Sequence, residues 1–80
     1  MKLNEAVAYR IKELCKEREI TQYQLYLKTG VPQSTLSTIM KCCYPSMKLR
    51  IIYEICDGLE MSLEDFFASD LFKRANIEDL

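Results

Sequence analysis

Residues 21–40 read TQYQLYLKTGVPQSTLSTIM, and this stretch decides the fold. It predicts two short helices separated by a break that begins at Gly30. Thr21 is placed to cap the first helix, and Gln24, three residues later, completes a capping box. Gly30 can adopt the left-handed conformation that ends a helix, and Pro32 presets the backbone for the first turn of the next one. The stretch therefore predicts two helices joined by a tight turn.

The second helix of this pair has a polar face that suits contact with DNA. Leu36 and Ile39 fall on its inner side at helical spacing. The opposite side carries an amide, hydroxyls and an amine, on Gln33, Ser34, Ser37, Thr38 and Lys41. Such groups hydrogen-bond to base edges and phosphates, and a helix that follows a tight turn can enter the major groove. The alternative interpretation is an ordinary solvated face.

Charge is distributed unevenly along the chain, although the formal net charge is only −1. Residues 1–20 carry +1, residues 21–53 hold four cations and no acid, and residues 54–80 hold eight acids against two cations. This segregation predicts one surface that attracts polyanions and another that repels them. Ordinary surface variation is the alternative, since only four cations are involved. Few phosphate contacts predict weak non-specific affinity for DNA.

The composition indicates one small helical domain. Eighty residues can bury a single modest core, 49% of them are apolar, and there are only two glycines and two prolines. No window approaches the ~20 apolar residues of a membrane span. The N-terminal sequence MKLNEAVAYR lacks the apolar segment of a signal peptide. We therefore predict a cytoplasmic protein with no membrane partner.

The cysteines and the absence of histidine limit the chemistry of the chain. The cysteines, which form no CxxC pair, are Cys15, Cys42, Cys43 and Cys56. They are interpreted as two core hydrophobes and two free thiols near a turn, with a redox switch beside Lys41 as the alternative. A zinc site would need all four from three separate regions. We predict no metal, no cofactor and no enzymatic activity, because no nucleophile has a base partner and no glycine-rich phosphate loop is present.

Helical periodicity predicts three further helices around the central pair. Helix 1 covers about residues 3–18, and its predicted inward side chains are Leu3, Val7, Ile11, Leu14 and Cys15. Ser46 is predicted to cap helix 4, in which Gly58 marks close packing or an early end. The inward side chains of helix 4 are Leu49, Ile52, Ile55, Cys56 and Leu59. Ser62 is predicted to cap helix 5, with Phe66 and Phe67 on the core.

Two segments carry a family resemblance: residues 11–40, IKELCKEREITQYQLYLKTGVPQSTLSTIM, and residues 51–67, IIYEICDGLEMSLEDFF. They resemble the phage-repressor or Cro-type (XRE) helix-turn-helix family over about residues 8–67. The strongest elements are Gln22, Leu25, Gly30, Val31, the STLSTI run and the ICDGL and SLEDFF segments. The combination is specific, whereas each piece alone would be weak.

The resemblance implies an all-α, lambda-repressor-like helix-turn-helix DNA-binding domain of five or six helices. Residues 1–68 would form this domain, and residues 69–80 a C-terminal tail or short helix. In the family, the residue matching Gln22 binds a phosphate, and those matching Gln33, Ser34 and Thr38 face base edges. The predicted base contacts are Gln33, Ser34, Ser37 and Thr38. The predicted phosphate contacts are Gln22, Lys41, Tyr44, Ser46 and Lys48.

Three features depart from the family pattern. The loop after helix 3 is a residue or two shorter than usual, and Cys42 stands where a glycine is common. Pro32 replaces the usual Ser or Thr cap of helix 3. Cys15 and Met40 occupy positions that often hold an Arg–Glu pair. Loss of both charges together is physically coherent, because a lone half-buried charge is costly.

We predict a sequence-specific transcriptional regulator, a repressor, that binds a palindromic operator in double-stranded DNA as a homodimer. One recognition helix touches too few bases for useful specificity, and pairing on two half-sites is the usual remedy. The dimer is predicted to be weak or DNA-assisted and to use Phe67, Leu71, Phe72 and the end of helix 4. In the competing prediction, residues 73–80 of the tail fold back and cover their own domain.

The alternative function is a protein-interaction adaptor or anti-repressor that keeps this fold without binding DNA. The acidic C-terminal third and additional apolar residues are compatible with it. The predicted additional apolar residues are Ile51, Tyr53, Leu71 and Phe72. Retention on a DNA column that falls steeply with salt would distinguish the two functions.

Overall fold

Helices account for the secondary structure of this chain in the computed structural model, which describes residues 1–78. The elements are α1 (Leu3–Glu17), α2 (Gln22–Thr29), α3 (Gln33–Met40), α4 (Leu49–Gly58) and α5 (Leu63–Phe67). Two 3₁₀ turns follow, Asp70–Phe72 and Arg74–Asn76. The prediction of a five-helix, all-α domain is confirmed. The last two residues of the predicted tail lie outside the described residues.

The turn between α2 and α3 has the predicted local chemistry. The Thr21 hydroxyl accepts a hydrogen bond from the Gln24 amide at 3.1 Å, and the Gln24 side chain accepts one from the Thr21 amide at 2.8 Å. Gly30 ends α2 in the left-handed region with φ 74°. Pro32 is the residue before α3, which begins without a side-chain cap. The signals in the sequence are local, and each acts within three or four residues of its position.

The core lies where α1 meets α3 and where α2 meets α4. α2 and α3 contribute few buried side chains, of which Leu25 and Leu36 are fully inaccessible to solvent. Phe66 of α5 closes the core and is also fully buried. The buried apolar cluster is Val7, Ala8, Ile11, Leu14, Leu25, Val31, Leu36, Ile39, Ile52, Ile55, Cys56, Leu59 and Phe66. Cys15 and Met40 are partly buried at its edge.

Gly58 allows α4 to lie directly against the end of α2. A Cβ atom at this position would lie 2.6 Å from both the backbone oxygen of Lys28 and the side chain of Thr29. Real Cβ contacts are not that short, so a larger residue would push the two helices apart. α4 also ends at Gly58. Both predictions for this residue, close packing and an early helix end, are therefore confirmed.

Two residues predicted to face inward are instead exposed. Leu3 is 50% and Leu49 is 62% accessible, and both stand at the first position of their helices. The prediction that Ser46 caps helix 4 is wrong, because α4 begins two residues later than expected, after Lys48. Met47, in the segment before α4, packs against the core. The later start leaves Leu49 beyond the end of the core.

The tail folds back onto its own domain. The rings of Phe66, Phe67 and Phe72 form one cluster, with centroid separations of 5.0, 6.0 and 4.9 Å. Leu71 is partly buried and Leu59, at the end of α4, is 2% accessible. Phe67 and Phe72, which the sequence assigned to a dimer surface, therefore have partners within the domain. Hydrogen bonds of Asn76 and Glu78 to Met1 agree with the competing prediction in the described part of residues 73–80.

Candidate nucleic-acid interface

α3 is anchored by its apolar side and presents its polar side to solvent. Leu36 and Ile39 are 0% and 1% accessible, which fixes the orientation of the helix on the domain. Among the predicted base contacts, Gln33 and Ser34 are exposed, whereas Ser37 and Thr38 are partly buried. The first turn of α3 is therefore its most accessible part. An eight-residue helix held in this way is a rigid carrier for polar side chains.

The exposed groups of α3 have the chemistry needed for contacts with bases. The amide of Gln33 offers both a donor and an acceptor, so it can donate to N7 and accept from the N6 amino group of an adenine. The Thr38 hydroxyl donates to the backbone oxygen of Ser34 at 2.9 Å. Its hydrogen is thus used within the helix, while its oxygen and methyl group keep their capacity for contact. Thr38 suits an acceptor or apolar role better than a donor role.

The N-terminus of α3 differs from that of α2 in how its amides are satisfied. Thr21 caps α2 from within the chain, whereas Pro32 offers no side-chain acceptor to the first amides of α3. The first amides of a helix carry a partial positive charge that favours anions. The uncapped start of α3 is therefore compatible with a nearby phosphate group.

The predicted phosphate contacts occupy two separate places. Gln22 is exposed at the first position of α2, which packs against α3. The other four lie on the connecting loop, which we define as residues 41–48 between α3 and α4. The exposed members on this loop are Lys41, Ser46 and Lys48. Tyr44 is partly buried and packs against the core. Its ring therefore has a structural role in addition to any role of its hydroxyl.

The connecting loop is held on both sides. The Asn4 side chain donates to the backbone oxygen of Cys42 at 2.9 Å, and the Cys43 amide donates to the backbone oxygen of Thr38 at 3.0 Å. Cys42 has φ 58°, a left-handed backbone conformation that glycine adopts without strain. The role of Asn4 was not predicted from the sequence. The sequence does carry a sign of this role, because Asn4 is a polar residue on the inward face of α1. It is 9% accessible in the structure.

The charges around α2 and α3 leave several cations available. Residues 21–53 contain no acidic residue. Arg50 pairs with Glu54 at 3.2 Å, whereas Lys28, Lys41 and Lys48 make no ion pair among residues 1–78. All three lysines are exposed. These ammonium groups can neutralise phosphates without first breaking a contact inside the protein.

The thiols divide into buried and accessible groups. Cys56 is 2% accessible and Cys15 is partly buried. Burial raises the pKa of both thiols, against a smaller lowering by the charge of Arg18 at Cys15 and of Arg10 at Cys56. Cys43 is exposed, and its thiol lies 3.3 Å from the backbone oxygen of Lys41. Within the part of the chain described, no group of three or more potential metal ligands comes together.

A comparison with protein families defines the class of this domain. The model of the Cro/C1-type HTH DNA-binding domain matches residues 10–77. The chain therefore belongs to the Cro/C1-type helix-turn-helix family of DNA-binding domains, as the resemblance predicted. This membership supports binding of double-stranded DNA and a part in transcription regulation, and domains of this family are typically non-enzymatic. Comparisons with curated proteins and with solved structures find no match.

The helices of residues 1–78 include none that combines the length and the apolar character needed to cross a membrane.

Proposed function

We propose that this protein is a transcriptional repressor that binds palindromic operators as a homodimer, with α3 in the major groove. One observation carries the proposal: α3 is anchored by buried Leu36 and Ile39 while its polar side is accessible. The same region, residues 21–53, holds cations and no acid. A polar helix face in a positive surface suits entry into a groove lined by phosphates.

The side chains divide into two roles in this proposal. Contacts to base edges provide sequence specificity, whereas contacts to phosphates set the position of the protein on the duplex. The proposed base contacts are Gln33, Ser34, Ser37 and Thr38. The proposed phosphate contacts are Gln22, Lys41, Tyr44, Ser46 and Lys48. Lys28, Lys41 and Lys48 make no ion pair in the part of the chain described, residues 1–78. These few cations favour modest affinity for any DNA, so specificity would depend strongly on the base contacts.

A homodimer follows from the size of the recognition element. α3 has eight residues, or little more than two turns, and can contact only a few base pairs. Two copies on half-sites separated by about 34 Å, one turn of DNA, would double the contacted sequence. The operator would then have the two-fold symmetry of the protein.

Selection of bound duplexes from a random pool tests this proposal directly. We expect the selected sites to share an inverted repeat whose half-sites are about one helical turn apart. Binding to the selected site should weaken steeply as salt increases. Absence of any enrichment, together with no retention on DNA at low salt, would contradict the proposal. That result would favour the alternative, a protein-interaction adaptor or anti-repressor with this fold.

A further inference from the structure

α4 and α5 form an open apolar groove whose lining residues are not among the proposed DNA contacts. The groove, with a volume of about 580 Å³, is lined by Leu49, Arg50, Tyr53, Glu54 and Leu63. Leu49 is 62% and Tyr53 is 53% accessible, and they stand one helical turn apart. Exposed large apolar side chains at this spacing form a continuous stripe along α4. We name this surface the α4–α5 groove.

The apolar surface continues beyond the groove. A second hollow of about 280 Å³ shares Tyr53 and Leu63 with the first and extends it to Met61. The combined surface runs along α4 and reaches the start of α5. Apolar surface that is rimmed by charges and lies outside the core is typical of a contact with another macromolecule.

The charges beside the stripe suggest which molecule fits. Arg50 and Glu54 are one turn apart on α4, and their side chains pair at 3.2 Å. Arg50 lies in the first turn of α4, where the helix dipole favours an acidic residue. With Arg50 before Glu54, the pair therefore adds little to the stability of α4 itself. The side chain of Arg50 is 87% accessible. The pair therefore presents a positive and a negative group side by side along the edge of the groove.

We propose that the α4–α5 groove is the dimer surface, occupied by the α4–α5 groove of a second copy, with the two α4 helices antiparallel about a two-fold axis. In such a contact each residue pair occurs twice. Arg50 then faces Glu54 of the partner subunit, and Glu54 faces the partner's Arg50. The stripes of Leu49 and Tyr53 meet across the axis. This inference rests on the homodimer in the proposed function and identifies its surface.

A second copy fits this groove because the charges are self-complementary. An antiparallel copy places each charge opposite its counter-ion without any other partner. The aromatic residues of the tail are not available for this purpose, since Phe67 and Phe72 pack within the domain. Nine residues line the two hollows, fewer than the ~20–30 residues that each partner contributes to a standard interface, so the dimer is weak and is strengthened on DNA.

Charge reversal tests the arrangement by sedimentation equilibrium without DNA, at protein concentrations up to about 1 mM, the dissociation constant of a weak complex. Arg50→Glu alone and Glu54→Arg alone each place like charges opposite one another, and each should weaken self-association about tenfold or more. A 1:1 mixture of the two variants should associate again, and the double variant should recover as well. The matched control is Lys73→Glu, which reverses one charge of an exposed pair with Asp70 on the tail. It should leave association unchanged.

The same variants are then measured on the selected full site and on a half-site. Loss of cooperative full-site binding with unchanged half-site binding supports the groove. Failure of the mixture to recover, or an equal effect of Lys73→Glu, overturns it while the homodimer stands. A wild-type chain that stays monomeric and binds one copy per full site overturns both the groove and the homodimer. Charge-dependent association in a protein that binds no DNA supports the groove and contradicts the proposed function.

Discussion

Gly30 and Gly58 are separated by 28 positions, but both are needed at the same end of α2. Gly30 ends α2 with φ 74°, and a Cβ atom there would meet nothing within 4 Å. Gly58 has an ordinary backbone conformation, but a Cβ atom there would lie 2.6 Å from backbone and side-chain atoms of α2. The first glycine is required by the backbone, and the second by the space between two helices.

Substitutions at the two glycines should therefore lower the stability of the fold for different reasons. Gly30→Ala should lower the free energy of unfolding by about 1–2 kcal/mol, the cost of a left-handed non-glycine residue. Gly30→Asn should recover part of that loss, because asparagine tolerates this conformation. Gly58→Ala should cost about 1–3 kcal/mol through overpacking, and Gly58→Asn should cost more still. Urea denaturation measures all four, and equal behaviour of the two asparagine variants would contradict the distinction.

Gln33 and Gln22 provide a matched pair for the proposed DNA contacts. Gln33→Ala should reduce discrimination between the selected site and random DNA by about 1–3 kcal/mol, the value of a paired contact with adenine. Gln22→Ala should instead weaken binding to both DNAs to a similar degree, because a phosphate carries no sequence information. Fluorescence anisotropy with both duplexes measures this. If Gln33→Ala weakened both equally, its assignment as a base contact would be wrong.

At the residue scale, the accuracy of sequence prediction depended on the distance over which each residue acts. Thr21, Gln24 and Gly30 act on their own helix ends and were predicted correctly. Leu49 was misplaced, because its exposure depends on where α4 begins relative to the core. Asn4 was missed, because its partner Cys42 is 38 positions away. The roles of individual side chains at the DNA surface stay predictions, since they require the DNA.

Arg10 joins α1 to the end of α5. Its guanidinium donates to the backbone oxygen of Phe66 at 2.7 Å and to that of Asp65 at 2.8 Å. A cation at the C-terminus of a helix satisfies carbonyl groups that have no partner within the helix. The same side chain pairs with Glu13 at 2.5 Å. A helix of only five residues thus gains its stability from its neighbours.

Removal of this link should loosen α5 specifically. Arg10→Met should lower the free energy of unfolding by about 1.5–3 kcal/mol, the usual range for hydrogen bonds that involve a charged group. Glu13→Gln is the control, and it should cost less than about 1 kcal/mol because the Glu13 side chain is 47% accessible and its charge is screened by water. Amide hydrogen exchange should show faster exchange in α5 for the first variant. If the exchange of α5 did not change, Arg10 would not be its anchor.

At the element scale, all five helices were predicted, but the first residue of α4 was not. The apolar periodicity of α1 and α4 identifies each helix even when its first residue is assigned two positions away from the true one. The helix is therefore predicted correctly while its capping residue is not. Pro45 and Ser46 form a turn, and the sequence favoured Ser46 as a cap because serine is common there. The packing of Met47 against the core is a tertiary contact without a local signature.

At the scale of the whole molecule, the tail contributes to stability. Deletion of residues 70–80 removes Phe72 from the ring cluster and removes contacts between the tail and α1. We expect a clear fall in melting temperature, and Phe72→Ala alone should cost about 2–3 kcal/mol, because the ring is only partly buried. Lys73→Ala, an exposed control in the tail, should change stability by less than about 0.5 kcal/mol. A truncated chain as stable as the full chain would contradict this prediction.

The buried thiols predict how stability varies at high pH. Burial raises the pKa of the Cys15 and Cys56 thiols above that in the unfolded chain, so the folded protein holds these protons more tightly. The contribution of these two thiols to the free energy of unfolding is fully present below about pH 8.5, the ordinary pKa of a thiol. It is lost as the pH rises through the pKa of the thiols in the folded protein. Cys56→Ala should therefore reduce the loss of stability above pH 8.5, whereas Cys43→Ser should not. If the free energy of unfolding of the two variants varied with pH in the same way, this prediction would be wrong.

The contacts between the first residue and the tail have a topological consequence. The amine of Met1 donates to the backbone oxygen of Asn76 at 2.9 Å, and the amide of Glu78 donates to the backbone oxygen of Met1 at 3.1 Å. The path of the backbone is thus almost a closed ring. A short peptide joining residue 78 to residue 1 would turn this path into a cyclic or circularly permutable chain. Closure would restrict the unfolded ensemble and leave the folded helices where they are.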